Sequence, residues 1–226
     1  MEVEVLKMRK YGFMSGFLLL FAASSAQASN LVINGGFEAP ALAFQTWANE
    51  LSIPGWVLAS GQNIEIQNYA AGNPYEGNQL LELDGLDEIS IYQDIPTVAG
   101  TQYQISFAFS ARPNLTALGL TDNLMGILWD GTSLGTVSAS GVGLTQTDWT
   151  VYTYRAIASS STTRLQLSGL GHSDGLGEYV DAVSVSQSQS QIEVFNTTVP
   201  EPSTMMICLG GLLCVAANFR KRVVRS

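Results

Sequence analysis

Cysteine is nearly absent from the 226-residue chain, which has only Cys208 and Cys214, both close to its C-terminus. The rest of the chain therefore has neither a disulfide framework nor a thiol that could act as a nucleophile. His172 is the only histidine, so a zinc site built from histidine and cysteine is excluded there. Stability must come from a packed core, and the chain is long enough to bury one.

Basic residues are also scarce, with 10 lysines and arginines against 19 aspartates and glutamates. Most bases lie at the two ends, and only Arg112, Arg155 and Arg164 lie between residues 29 and 219. Such an acidic surface repels phosphate backbones and anionic lipid headgroups. The composition thus argues against binding of nucleic acid and against peripheral membrane binding. It is compatible with calcium, with neutral sugars, or with solubility alone.

The N-terminus has the pattern of a secretory signal peptide. Lys7, Arg9 and Lys10 precede an apolar run over residues 13–23, and Ala26-Gln27-Ala28 is a small-x-small cleavage site. We expect a signal peptide over residues 1–28 and a mature chain that begins near Ser29. An uncleaved N-terminal anchor is the alternative, although the apolar run is short for a membrane span.

The C-terminus combines a short polar tag, an apolar run and a basic end. Val199-Pro200-Glu201-Pro202 precedes the apolar residues 204–219, and three bases follow at 220–222. As a helix, the run would reach roughly 24 Å at ~1.5 Å per residue, slightly less than the ~30 Å hydrocarbon core. An ordinary single-pass anchor is the alternative.

With its Pro-Glu-Pro tag, segment 199–226 resembles the PEP-CTERM sorting signal of Gram-negative bacteria that make extracellular polysaccharide. The resemblance implies that an exosortase and the secretion machinery are partners. It also implies that the membrane helix 204–219 anchors the chain only until the tail is removed. The chain would then be delivered to the cell envelope or the extracellular matrix.

Short stretches of alternating polarity predict strands between the two ends. Tyr103, Ile105, Phe107 and Phe109 alternate with small or polar residues, which is typical of a core strand. Asp130-Gly131 indicates a hairpin turn, since glycine accepts the positive φ that such a turn needs. Other strands are predicted around residues 89–92, 165–167 and 183–185.

Residues 29–186 show no sustained helical period and no βαβ rhythm, so we predict an all-β, antiparallel β-sandwich of the jelly-roll type. Residues 187–198 are rich in glutamine, serine and threonine, and predict a polar linker.

Several short motifs recur in an order and spacing that resemble galactose-binding-like jelly rolls. The likeness is strongest to a family of bacterial and plant cell-wall-associated domains of unknown function and to related carbohydrate-binding modules. It implies a sandwich of eight to ten strands, binding of sugar or cell wall, a structural calcium ion, and core positions for Trp56 and Trp149. The motifs are Asn34-Gly35-Gly36-Phe37-Glu38, Ile53-Pro54-Gly55-Trp56, Leu81-Glu82-Leu83-Asp84-Gly85, Trp149-Thr150-Val151-Tyr152 and Tyr179-Val180-Asp181-Ala182-Val183.

The resemblance also places the opening segment beside the last strand, which would bring Glu38 towards Asp181. Calcium takes six to eight oxygens from carboxylates and backbone carbonyls. One carboxylate from each end of the domain could therefore hold a calcium ion. The alternative is that Glu38 and Asp181 accept backbone hydrogen bonds at strand ends.

A sugar-binding site needs an aromatic platform beside polar groups that hydrogen-bond hydroxyls. Each aromatic side chain in a loop could instead be packed in the core. The candidates are the aromatic residues Trp47, Tyr69, Tyr75 and Trp129, with the polar residues Arg112 and Asn114.

Catalysis has weaker support than binding. Gly171–Gly175 fits the G-x-S-x-G pattern of a serine hydrolase, but a triad needs a histidine on a separate segment, and His172 lies inside the motif. A glycosidase with paired carboxylates remains an alternative, because acids are frequent over residues 65–88.

We therefore favour a non-enzymatic exported protein that binds an extracellular polysaccharide. A purely structural surface protein is the third alternative.

The two terminal signals predict how the chain is processed. Mass spectrometry of the envelope or medium fraction should find a protein that begins near Ser29 and lacks the segment from Thr204 onward. Intact termini in the mature cellular protein would contradict both signals.

Overall fold

The computed structural model describes residues 29–114 and 123–188, which form two antiparallel sheets. The six-stranded sheet has the order β1-β3-β4-β11-β6-β9, and the five-stranded sheet has the order β2-β5-β10-β7-β8. The strands are β1 Thr46–Glu50, β2 Val57–Ser60, β3 Ile64–Asn68, β4 Leu80–Glu82, β5 Ser90–Pro96, β6 Gln102–Ala111, β7 Asn123–Trp129, β8 Thr132–Ala139, β9 Thr150–Ile157, β10 Thr162–Gly169 and β11 Glu178–Gln187.

This architecture confirms the prediction of an all-β antiparallel sandwich. Eleven strands lie in the described ranges, more than the eight to ten implied by the resemblance, because short strands such as β2 and β4 take part in pairing. The predicted signal peptide and the predicted sorting signal with its apolar run lie outside the described residues. The part of the chain that the structure covers contains no helix long and apolar enough to cross a membrane.

Strand β6 forms the centre of the core, as its alternating pattern predicts. Tyr103, Ile105, Phe107 and Phe109 are all buried and face the five-stranded sheet. Phe107 stacks on Tyr152, with ring centroids 5.8 Å apart. Because each buried aromatic side chain removes a large apolar area from water, these rings supply much of the stability that disulfides would otherwise provide.

The predicted hairpin at Asp130-Gly131 connects β7 to β8. Asp130 has φ 51° and Gly131 has φ 77°. Two consecutive positive φ values are typical of the two-residue turn whose twist matches that of paired strands. This prediction is confirmed.

The opening segment of the domain lies beside β11, as the resemblance implies. The Leu31 amide donates to Val185 O over 2.8 Å, and the Val183 amide donates to Gly35 O over 2.9 Å. A Cβ on Gly35 would overlap Val183 O, so only glycine permits this close approach of two backbones. The contact directs Glu38 towards the segment between β3 and β4.

Two tryptophans provide a matched test of this core. Trp56 is 1% exposed and stacks on Phe37, whereas Trp47 is 57% exposed on edge strand β1. We expect Trp56→Ala to lower the free energy of unfolding by about 3–5 kcal/mol through loss of packing. Trp47→Ala should change it by less than about 0.5 kcal/mol. Urea unfolding measures both values, and equal losses would contradict the packing described here.

Candidate functional site

Polar side chains line the outer face of the six-stranded sheet, the side that points away from the core. Glu65 on β3, Glu82 on β4 and Tyr179 on β11 are aligned in register across three neighbouring strands. All three are buried. Because a polar outer face is normally solvated, their burial means that other parts of the chain cover it.

The segment of residues 69–79, between β3 and β4, covers Tyr179 and Gln67. Gly85 lies against Glu65, and Arg112 and Gly177 cover Glu82. Gly72 lies against the ring of Tyr179, where an added Cβ would come within 2.9 Å of the ring. Beyond it, Asn73 O accepts hydrogen bonds from the Thr147 hydroxyl over 2.7 Å and from the Trp149 indole N–H over 2.8 Å. The segment thus crosses the outer face from β3 towards β9.

This crossing brings Tyr75 and Trp149 together. Their ring centroids are 6.1 Å apart and the rings meet edge to face, at 68°. Tyr75 is 47% exposed and Trp149 is half-buried. The expectation that Trp149 is a core residue is wrong, because the 69–79 segment holds its indole at the surface.

Polar groups surround the Tyr75–Trp149 pair. The side-chain amide of Asn73 donates to Gln146 Oε1 over 3.4 Å. Asp148 is exposed, and its backbone amide donates to Ser110 Oγ over 3.0 Å. An exposed aromatic edge or face with amide and carboxylate groups beside it can stack on an apolar ring and hydrogen-bond to hydroxyls.

The other aromatic candidates do not join this pair. Trp129 is 4% exposed, packs on Tyr103 at 5.9 Å, and donates its indole N–H to Ile157 O. It is a core residue, so its prediction as a ligand contact is wrong. Tyr69 is half-buried and packs against the exposed ring of Phe44 at 5.5 Å. Tyr69 therefore belongs to a second aromatic contact near β1.

The two polar candidates have structural contacts. Asn114 forms backbone hydrogen bonds with Gly141 and Gly143, which attach it to the segment after β8. Arg112 donates from Nη1 to both oxygens of Glu82, over 3.0 and 3.2 Å, and to Gly175 O over 2.8 Å. Arg112 is thus committed to Glu82 and Gly175 rather than to Tyr75 or Trp149.

Glu82 is the centre of a buried hydrogen-bonded network that sequence reasoning did not identify. Besides Arg112, it accepts hydrogen bonds from the Gly177 amide and the Gln67 side-chain amide, and Gln67 also donates to Glu65. Burial raises the pKa of Glu82 to about 8, and the adjacent Arg112 guanidinium opposes this rise. The alternation of Ile64-Glu65-Ile66-Gln67 is that of an ordinary solvated strand face, so the sequence pattern does not show that loops elsewhere in the chain bury its polar side.

Two catalytic interpretations gain no support from these positions. Glu65 and Glu82 lie side by side, as paired carboxylates would, but both are buried and Glu82 is committed to Arg112. Gly171–Gly175 lies in the loop between β10 and β11, and β11 follows it where a serine elbow would require a helix. The Ser173 hydroxyl donates to Asp84 over 3.2 Å.

Glu38 and Asp181, the residues predicted to bind calcium, both contact the 69–79 segment. Glu38 Oε1 accepts hydrogen bonds from the amides of Asn78 and Gln79, at 2.6 and 3.0 Å. Asp181 Oδ2 accepts from the amides of Tyr75 and Glu76, at 2.9 and 3.0 Å. The hydrogen-bonding alternative accounts for these contacts, and calcium at this position stays a prediction.

Comparison with known proteins gives few close relatives. No protein-family model matches the chain. Over 172 residues, or 74% of the chain, it is 31% identical to the multifunctional-autoprocessing repeats-in-toxin of Vibrio cholerae serotype O1. Over 178 residues, or 75% of the chain, it is 30% identical to the protein of the same name from Vibrio vulnificus. The match spans about 3% of the length of each of these relatives.

Solved structures with similar chain traces include carbohydrate-binding modules. TmCBM61, solved in complex with β-1,4-galactotriose, has a TM-score of 0.44 and 15% sequence identity; the match covers 71% of this chain and 100% of that one. A family 35 module from an environmental isolate has a TM-score of 0.42 and 15% identity, and covers 64% and 98%. At this level of similarity, the ligand has to be inferred from this chain's own residues.

The Arg112–Glu82 pair predicts a pH-dependent effect of mutation. The pKa of Glu82 is about 8 in the folded chain, against an ordinary value of 4.5 for an unperturbed glutamate. Because the folded state holds this proton more tightly than the unfolded state, the contribution of Glu82 to stability falls as the pH rises from 4.5 to 8. Arg112→Met removes the charge that opposes this loss. We expect little destabilisation near pH 5, where Glu82 is protonated, and about 3 kcal/mol near pH 9, where an unpaired carboxylate is buried.

Denaturant unfolding at both pH values measures this difference. Arg164→Met is the matched control, because Arg164 pairs with the exposed Asp94, whose pKa is lowered by their hydrogen bond. Its effect should not change over this pH range. Equal destabilisation of the Arg112 variant at both pH values would show that Glu82 is not coupled to Arg112.

Proposed function

We propose that the chain is an exported, non-enzymatic protein that binds neutral polysaccharide of the cell envelope or extracellular matrix. The observation that carries this proposal is the Tyr75–Trp149 pair, an exposed aromatic platform fixed to the outer face of the sandwich. The sugar ring would stack on Tyr75, and Asn73, Gln146 and Asp148 would hydrogen-bond its hydroxyls.

The platform is held in place before any ligand arrives. The Tyr75 backbone amide donates to the Asp181 carboxylate, and the Trp149 indole N–H donates to Asn73 O, so the 69–79 segment is attached both to β11 and to Trp149. A preorganised site loses less conformational entropy on binding than a mobile loop. The acidic composition of the domain favours neutral sugars over acidic ones, since negative charges repel each other.

A role in binding is also favoured by the positions of the acidic residues. The paired carboxylates Glu65 and Glu82 are buried against Gly85, Arg112 and Gly177 rather than in an open cleft. Separation of two carboxylates across an accessible sugar is what glycosidase chemistry needs. A hydrolase is therefore the second candidate, and a purely structural surface protein is the third.

Export and sorting rest on the terminal signals. The signal-peptide pattern over residues 1–28 and the PEP-CTERM-like pattern over residues 199–226 support export followed by exosortase processing. The similarity to a short part of a much larger bacterial toxin supports a module that also works within longer proteins. In this proposal, many copies on one surface would hold a repeating polymer by avidity.

Affinity electrophoresis through gels that contain neutral polysaccharide tests the platform. Each hydrogen bond from a sugar hydroxyl to the protein replaces a hydrogen bond to water, so it stabilises the complex by only about 0.5–1.5 kcal/mol. We therefore expect weak retardation of the wild-type chain. Tyr75→Ala and Trp149→Ala should each reduce it, whereas Phe44→Ala should not, because Phe44 is an exposed aromatic residue outside the pair.

Two results would overturn the proposal. Mobility that no polysaccharide changes would favour the structural alternative. Release of soluble oligosaccharides during incubation would favour the hydrolase.

A further inference from the structure

Three acidic side chains converge away from the Tyr75–Trp149 pair, where the segments 83–89 and 170–177 meet. The backbones of Asp84 and Glu88 pair as an isolated antiparallel β-bridge within the first segment, and Glu178 is the first residue of β11. The backbone joins them, since Leu83 N donates to Glu178 O over 3.0 Å. Asp174 adds a fourth, exposed carboxylate nearby, and its charge acts on Glu88.

The carboxylate oxygens in this cluster are satisfied very unequally. Asp84 Oδ2 accepts the amides of Asp174 and Gly175, at 2.8 and 2.9 Å. By contrast, both oxygens of Glu88 and Oε2 of Glu178 are buried without a hydrogen-bond partner. Glu178 as a whole is only 1% exposed, so water does not supply the missing contact from bulk solvent. Three orphaned oxygens in one cluster form an acceptor set without a donor.

Burying carboxylates in this way is costly unless something compensates their charge. The three arginines between residues 29 and 188 lie elsewhere: Arg112 contacts Glu82, Arg164 contacts Asp94, and Arg155 is exposed on β9. Burial, followed by repulsion from neighbouring acids, raises the pKa of Glu88 to about 8. The compensating species is therefore either a proton or a cation from solution.

Glycine at position 169 makes room for the carboxylate of Glu88. A Cβ on Gly169 would overlap Glu88 Oε2, so this carboxylate lies directly against the backbone of β10. The amide of Gly171 faces both Glu88 and Glu178, which places the two carboxylates on the same side of one short loop. Glu88 is half-buried as a residue, but its two carboxylate oxygens are not exposed.

We infer that Glu88 and Glu178 bind a divalent cation, calcium, at this junction. Hard oxygen ligands are the type that calcium prefers, and the orphaned oxygens could supply up to three of its six to eight ligands. Among the described residues, no three Asp, Glu, His or Cys side chains are already arranged to hold a metal ion. Backbone carbonyls and water would therefore complete the coordination.

This position differs from the Glu38–Asp181 position implied by the family resemblance. There, five backbone amides already occupy the carboxylate oxygens. At Glu88 and Glu178, the Leu124 amide donates to Glu178 Oε1 over 2.7 Å. The Gly171 amide lies close to both carboxylates but does not satisfy the other three oxygens with a hydrogen bond. A cation would gain the most binding free energy at carboxylate oxygens that have no other hydrogen-bond partner.

Isothermal titration of the purified full chain with calcium chloride alone tests the inference. We expect one binding event that is lost in Glu88→Gln and in Glu178→Gln. It should persist in Asp181→Asn and in Glu50→Gln, a matched control on edge strand β1. Circular dichroism establishes that each variant is folded. Absence of calcium binding by the wild-type chain, or binding that both glutamine variants retain, would overturn the inference.

Infrared spectroscopy of the wild-type chain provides a second test that needs no variant. Without calcium, buried carboxyl groups should give the band of the protonated form near neutral pH, with Glu82 contributing to it. Calcium should weaken that band by the share of Glu88 and Glu178, because metal ligands must be deprotonated, and should leave the share of Glu82 in place. A band that calcium leaves unchanged would instead show that protons alone neutralise the cluster.

Discussion

The carboxylate of Asp181 fixes the part of the fold that matters for binding. It lies on the outer face of β11 and accepts the backbone amides of Tyr75 and Glu76, which anchors the 69–79 segment across the sheet. Burial raises the pKa of Asp181 to about 7, and its hydrogen bonds oppose the rise. Glu38 accepts the amides of Asn78 and Gln79, so two carboxylates together hold four backbone amides of one loop. Without these anchors, neither the aromatic pair nor the cover over Tyr179 would have a defined position.

The 69–79 segment faces the sheet on one side and solvent on the other, and each side has its own role. Its inner side covers Gln67 and Tyr179, which makes their hydrogen bonds strong and any missing partner costly. Its outer side presents Tyr75 beside Trp149. The hydrogen bond from the Ala71 amide to Gln67 attaches the loop to the buried network, and this helps to preorganise the platform.

The sequence predicted the framework better than the site. Period-two patterning found β6 because its four aromatic and aliphatic side chains alternate strictly, and Asp130-Gly131 marked a turn whose backbone requirement is local. The sequence suggested a ligand contact for Trp129 and a core position for Trp149, and the structure shows the reverse placement. Trp129 lies at a strand end that packs inward, and Trp149 is held at the surface by Asn73, 76 residues away in sequence. The Arg112–Glu82 pair depends on residues 30 positions apart. Such contacts arise from topology and loop path, which local patterns do not encode.

Charge distribution explains why the acidic cluster and the aromatic pair can serve separate roles. A neutral sugar needs dipoles and an apolar face, and carboxylates such as Asp148 can serve it as acceptors without a counterion. The orphaned oxygens of Glu88 and Glu178 have the opposite requirement, because no hydroxyl could reach buried atoms and only a proton or a small cation can compensate them. A divalent ion there would join the 83–89 segment to the start of β11, the strand that also carries Asp181. The strand that anchors the platform would then be fixed at its first residue by metal coordination and further along by backbone hydrogen bonds.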